Sequence, residues 1–570
     1  MLTFLLVSCG PDPVDDTVVD PGWLPEVFCP GGPQCSNADG DLKAAAGVVS
    51  ILPTCWETWD DASADQSFSP SDDTFFDCGC DQRCAGDPGW SGMDDGEGDG
   101  VFQAVWMAGF GTGRAATGIR DATLGLRGEG DGLDARVLLL AQGDTVLALV
   151  TMDVVGFMYD DVLALRAQVD EAGIDVDHVL VHSSHGHEGP DTMGIYGPSI
   201  IVSGYDPAYT AQIRADVVAT LVTLSSALVP VHMEVGESNA NDYADNGVGN
   251  LIHDTRDPNI VDPRIGTARF VDDDGNSVAT LVHWANHPET VASNNTLLTS
   301  DFVHALRETV ETGSFWDGAG APGVGGVALY LNGTVGGMMT SLGAHVVDPL
   351  GNTWSEASFE KADAVGQLVG EMALDAVATA VPSDVSLRFG AQSFFVPVDN
   401  NAFQAMFLLG VLAHRKAYNY DPERPLSESN RPEVQSEVDV VQLGDLTLFT
   451  LPGEPLPELV IGGYDGSFTP PGELLLDPDN INPPDLLSAP PGPYLADLFT
   501  TPHVWAIGLG NDEVGYIIPP YNFEVPEAGG YILESEGDHY EETNSLGATT
   551  ADLVTDPLNS LADWAARPAR

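Results

Sequence analysis

From Val101 onward the chain alternates two textures. Short apolar runs rich in β-branched residues give way to stretches whose apolar positions recur at three- and four-residue spacing. The runs predict strands over 135–142, 145–154, 178–184, 265–272, 278–285, 325–332, 386–398, 438–451 and 503–509. The spaced stretches predict helices over 159–173, 207–228, 301–312 and 355–380, with a terminal helix over 542–566. Strands interleaved with helices predict an α/β fold on a mixed sheet. No repeat of 20–50 residues interrupts the pattern.

Two segments lack either periodicity. Residues 461–500 are rich in Pro, Gly and Asp, which excludes a core element and predicts a surface loop or a lid. Residues 10–100 are rich in Asp, Gly, Pro and Cys and read as an acidic tether and cystine-rich region before an α/β domain over 101–570. Within it, the run Asp94–Gly100 has calcium-loop ingredients without the loop's full spacing, and reads as a solvated linker.

Composition narrows the class. The 43% hydrophobic content fits a globular chain. The 86 acidic against 20 basic residues give a formal charge of -66, which repels nucleic acid and attracts cations. A saline habitat and drift in an acidic lineage both accommodate that charge.

All seven cysteines precede residue 85. The first ends Leu6-Val7-Ser8-Cys9 after an apolar stretch, the pattern of a bacterial lipoprotein signal over 1–9, although a basic n-region is missing. Lipidation at Cys9 predicts an extracytoplasmic protein anchored through its N-terminal lipid to the bacterial outer membrane or cell surface. The other six, Cys29, Cys35, Cys55, Cys78, Cys80 and Cys84, predict three disulfides, with fifteen pairings open. A zinc cluster at Cys78, Cys80 and Cys84 competes, but no histidine lies nearby.

Candidate chemistry collects where predicted strands end. His185 and His187 follow HVLVHSS, His287 follows SVATLVHWAN, Glu454 follows LTLFTLPG, and Tyr516 lies just beyond VWAIGLG. In α/β folds such positions converge on a crevice, and two imidazoles, a carboxylate and a phenol are donors that zinc accepts. Hydrogen-bonded core histidines are the competing reading.

Residues 101 to 566 resemble the catalytic domain of the neutral/alkaline ceramidase family. The pieces stand in order: MAGFGTGRAATGIRDATLGLR, VLVHSSHGHEGPDTMG, the 42-residue block VDPRIGTARFVDDDGNSVATLVHWANHPETVASNNTLLTSDF, LNGTVGG, LPGEP, GLGNDEVGYIIPP and GDHYEETNS. The resemblance implies zinc ligands at His185, His287, Glu454 and Tyr516, with His187 beside the metal and Tyr540 assisting the substrate. Two departures stand out. Met339 occupies the position of the family's serine nucleophile, and Asn239-Ala240-Asn241-Asp242-Tyr243 has no counterpart of its arginine.

These readings predict a zinc-dependent hydrolase that cleaves an amide or ester bond, N-acylsphingosine among the candidates, by metal-activated water. Its substrate would be a lipid or a small acylated molecule. His187 would serve as general acid or base and Tyr540 as oxyanion donor. Met339 would pack on the pocket wall, with Thr340 or Ser341 as a shifted nucleophile in the alternative. A catalytically inactive, metal-containing surface protein that binds lipid or glycan is the second reading.

Overall fold

A computed structural model describes residues 26–120, 131–243, 246–316, 320–337 and 339–567. Cys9 and the lipoprotein signal lie outside the described residues. The chain folds as an α/β protein around two mixed sheets.

The larger sheet runs, in spatial order, Val327–Asn332, Ser277–Trp284, Arg264–Asp272, Val229–Asn239, Lys43–Ser50, Asp134–Gln142, Thr145–Met152 and His178–Ser183, with Val381–Ser383 also paired to Val229–Asn239. The smaller runs Val27–Cys29, Leu387–Pro397, Glu433–Leu443, Leu446–Thr450 and His503–Ile507. In each sheet the strands leading to the candidate site pair in parallel: Thr145–Met152 with His178–Ser183, Ser277–Trp284 with Val327–Asn332, and Leu446–Thr450 with His503–Ile507.

The side-chain alternation of each strand explains the layers. Leu138 and Leu140 face a core shared with Phe389, Val441, Leu448 and Trp505 of the smaller sheet. Val137 and Leu139, one residue off, face Val162, Leu165, Ile213 and Val217 of the helices Tyr159–Ala172 and Pro207–Ser225. The helices Phe302–Thr312 and Phe359–Thr379 cover the other half of that face. The helix Thr550–Ala565 closes the smaller sheet through Val554, Leu558 and Leu561. The result is helix, sheet, sheet, helix. Central strands are thus buried on both faces, which is why they read as unbroken apolar runs.

The structure departs from the sequence reading in several places, and the strand Val229–Asn239 and the helix Asn401–Leu409 fall where no element was predicted. Lys43–Ser50 falls in the segment read as tether and cystine-rich region, yet it pairs with both Asp134–Gln142 and Val229–Asn239. In its sequence KAAAGVVS the helix-facing Ala45 and Gly47 are small because a helix lies directly over them: a Cβ at Gly47 would come within 3.2 Å of Thr220. The predicted strand 438–451 is two antiparallel strands, Glu433–Leu443 and Leu446–Thr450, folded at Gly444. Gly444 has φ of 60°, which a two-residue hairpin turn requires. The predicted helix 542–566 divides into Tyr540–Thr543 and Thr550–Ala565.

The three disulfides are Cys29–Cys35, Cys55–Cys80 and Cys78–Cys84. Cys55 and Cys80 close a 25-residue separation, so the double substitution to alanine is expected to lower stability by about 3 kcal/mol, read by denaturant unfolding. Among the described residues no helix is long and apolar enough to cross a membrane.

Candidate metal centre

The two sheets meet at the strand ends that carry the candidate residues. Asn332 ties three strand ends of the larger sheet together, its side-chain amide donating to the carbonyls of Ser184, at 2.9 Å, and Asn286, at 3.1 Å, while its own carbonyl accepts the Gly508 N–H just past the smaller sheet's last strand, at 3.0 Å. Asn511 donates its backbone N–H to Val181 and accepts that residue's N–H on its side chain, docking the 509–516 segment against the first histidine strand.

His185 follows the strand His178–Ser183 with φ of 69°, an uncommon conformation for a side-chain-bearing residue. Its backbone N–H donates to Val154, and its Nδ1 donates to the Val155 carbonyl at 2.6 Å. His287, fully buried, donates both its backbone N–H and its Nδ1 to the carbonyl of Met339, each at 2.8 Å. Glu454 and Tyr516 sit opposite each other on two-residue parallel strands, and the phenol hydrogen-bonds the Glu454 carboxylate.

The side chains of His185, His287, Glu454 and Tyr516 therefore converge. Nε2 of His287 lies 3.0 Å, and Nε2 of His185 3.4 Å, from the same oxygen of Glu454. A carbonyl can only accept, so each Nδ1 carries a proton and each ring turns its Nε2 onto Glu454, where it donates to the carboxylate as an imidazolium or offers a lone pair to a cation as a neutral ring. Orientation of histidines by carbonyls on the far ring nitrogen is the usual support of a metal centre. The donor set fits a divalent ion such as zinc.

His187 and Tyr540 flank this cluster. The His187 ring lies 4.8 Å from that of His185 and 5.4 Å from that of His287, centroid to centroid. Its Nδ1 is 3.2 Å from an oxygen of Glu289, which also carries a hydrogen bond from Thr340. Burial pushes the His187 imidazolium down to about 4, against the pull of Glu289. The Tyr540 ring packs edge-on to Tyr516 at 6.3 Å and is 44% exposed, so it stands at the mouth rather than the base.

A cavity of about 200 Å³ opens beside the cluster. His185, His187, Glu454, Tyr516 and Tyr540 contribute its polar lining, while Phe110, Met158, Ile195, Phe403, Phe407 and Leu412 make much of the wall apolar. No residue of 461–500 lines it. That insertion instead drapes over 257–261, with the Leu475 and Phe468 carbonyls accepting from Asn259 and Val261.

Met339 corrects an expectation. Its side chain lies in the core cluster with Leu251, Ile252 and Ala344, not on the cavity wall. What it offers the site is its carbonyl, which any residue could supply. Met339→Ser is therefore expected to cost about 2 kcal/mol of stability through lost packing and to place no hydroxyl in the cavity; calorimetry checks this. Thr340 is engaged with Glu289, and the buried Ser341 hydroxyl accepts from Asn286 at 2.8 Å. The short helix Ala240–Asp242 packs into the same core through Ala240.

Sequence reasoning missed Glu289 and Glu513. Glu289 stands two residues past His287, a proximity that could have flagged it. Glu513 stands three before Tyr516 in the same segment.

A two-sheet α/β protein with histidine, carboxylate and phenol donors gathered at strand ends defines the class. Among solved structures the chain is similar to the neutral ceramidase from Pseudomonas aeruginosa, with a TM-score of 0.54 and 12% identity over 92% of this chain and 74% of that one. A ceramidase complexed with C2 gives the same TM-score and identity over 92% and 75%. At this identity the likeness establishes the fold. The sequence matches no protein-family model and no curated protein.

Proposed function

We propose that the protein is a metal-dependent hydrolase that cleaves an amide or ester bond in a lipid or small acylated substrate, with zinc held by His185, His287, Glu454 and Tyr516. The observation that carries this is the pair of carbonyl-anchored imidazoles whose Nε2 atoms converge on one Glu454 carboxylate oxygen at the edge of an apolar cavity. Zinc in such a site supplies a Lewis acid for the carbonyl oxygen and lowers the pKa of water. His187, backed by Glu289, takes and returns the proton; Tyr540 donates a hydrogen bond to the oxygen on which charge develops. The apolar wall holds the acyl chain. The ceramidase-like fold supports an N-acylated lipid such as N-acylsphingosine as the first substrate to test. Cys9 lipidation would hold this chemistry at an extracytoplasmic membrane surface.

The competing reading, an inactive surface protein that binds lipid or glycan, has the absent serine in its favour. Purified protein assayed against N-acyl and O-acyl lipids, with and without chelator, separates the two. Chelator-sensitive release of fatty acid is expected; lipid binding with no turnover would decide for the binder.

Gly109 gives a sharper test of His187. It has φ of 101°, and a Cβ there would lie 2.4 Å from Cβ and Cγ of His187. Gly109→Ala is expected to push the ring from Glu289 and cut turnover about 10–100-fold while leaving metal content unchanged.

A further inference from the structure

Glu513 is 5% exposed and faces the same cavity. One oxygen accepts the Gly515 N–H at 2.7 Å; the other, Oε2, is buried with no hydrogen-bond partner. A carboxylate oxygen of Glu513, one of Glu454 and a ring nitrogen of His185 all lie within 4.8 Å of one another. Two buried carboxylates this close repel strongly unless a cation or a shared proton joins them. Arg415 also borders the cavity, but its guanidinium is committed to Asp512, with Nη2 2.6 Å from Oδ2. Glu513 is held rigidly as well: Gly156 leaves room for it, since a Cβ there would lie 2.7 Å from the Glu513 Cβ.

We propose that Glu513 is a further ligand in the metal centre, beside the four proposed above, because its orphaned carboxylate oxygen shares one buried neighbourhood with Glu454 and His185. The proposal rests on the metal reading and deepens it. With two carboxylates the protein neutralises the charge of a divalent ion. The donor set also becomes richer in oxygen, which raises the relative affinity for harder ions such as Mn²⁺ over a site with one carboxylate.

The test compares wild type with Glu513→Gln, which is isosteric and retains an acceptor for the Gly515 N–H. Zinc affinity is measured by competition with a chromophoric chelator, and the ligand field by the visible spectrum of the Co²⁺-loaded proteins. Zinc affinity is expected to fall about 100-fold, manganese affinity by more, and the Co²⁺ bands to shift. Unchanged affinity, or weaker affinity with an unchanged Co²⁺ spectrum, overturns the ligand role while the four-residue centre stands. A wild-type protein that binds neither zinc nor cobalt overturns both readings. Glu513→Asp, which shortens the reach yet keeps the charge, guards against misfolding: partial recovery of manganese affinity is expected, and a spectrum identical to that of Glu513→Gln with no recovery contradicts the proposal.

Discussion

His287→Ala is expected to abolish stoichiometric zinc binding and to lower turnover by about 10³-fold. His287 is fully buried, its far nitrogen is fixed by the Met339 carbonyl, and its near nitrogen lies 3.0 Å from Glu454. No water or neighbouring side chain can reproduce a donor in that place. In the proposed mechanism its removal would lose the electrophile and the activated water together, several kcal/mol of transition-state stabilisation at about 1.4 kcal/mol per tenfold. Elemental analysis and fatty-acid release, measured on the same folded preparation, check both parts. Full turnover in the variant would sink the metal mechanism.

Arg256→Ala is expected to destabilise the protein by about 3–5 kcal/mol and to reduce turnover even where it stays folded. Arg256 is 3% exposed and pairs with Glu541 at 2.6 Å and Glu542 at 2.9 Å, both buried. It also donates to the carbonyls of Asn522 and Asp538. Deleting the cation leaves the buried Glu541 without its ion-pair partner and Glu542 with only His539 and the Glu524 N–H, which is what makes breaking such a network costly. Those glutamates belong to the turn Tyr540–Thr543, so the same network sets the position of Tyr540. Arg256 points into this network and does not line the cavity. Urea unfolding gives the stability change. Steady-state kinetics at low urea should show a fall in kcat larger than the change in KM.

How much of this was legible in the sequence follows from what each segment is packed against. Strands such as Thr145–Met152 were plain because both faces are buried, which leaves an uninterrupted apolar run. Lys43–Ser50 was hidden because it is built of alanine and glycine, residues with no strand signature, Ala45 and Gly47 lying under a helix and Ala44 and Ala46 in the core between the sheets. The hairpin at Gly444 was hidden inside a longer apolar stretch, although Gly-Asp in its middle was a turn signal. At the site, His185, His287, Glu454 and Tyr516 were visible as polar residues directly after strands. Glu289 and Glu513 were not, since they are two among 86 acidic residues and only burial distinguishes them. The role of Met339 could not be read from its side chain, because what reaches His287 is its carbonyl.

The most direct measurement is anomalous diffraction from crystals of the purified, zinc-equilibrated protein, collected on both sides of the zinc absorption edge. A single strong peak bounded by Nε2 of His185, Nε2 of His287, the Glu454 carboxylate and the Tyr516 oxygen, about 2.0–2.2 Å from each, is the expected result. A map with no peak among these four side chains, or with the ion bound elsewhere while His185 and His287 remain turned onto Glu454, would contradict the account.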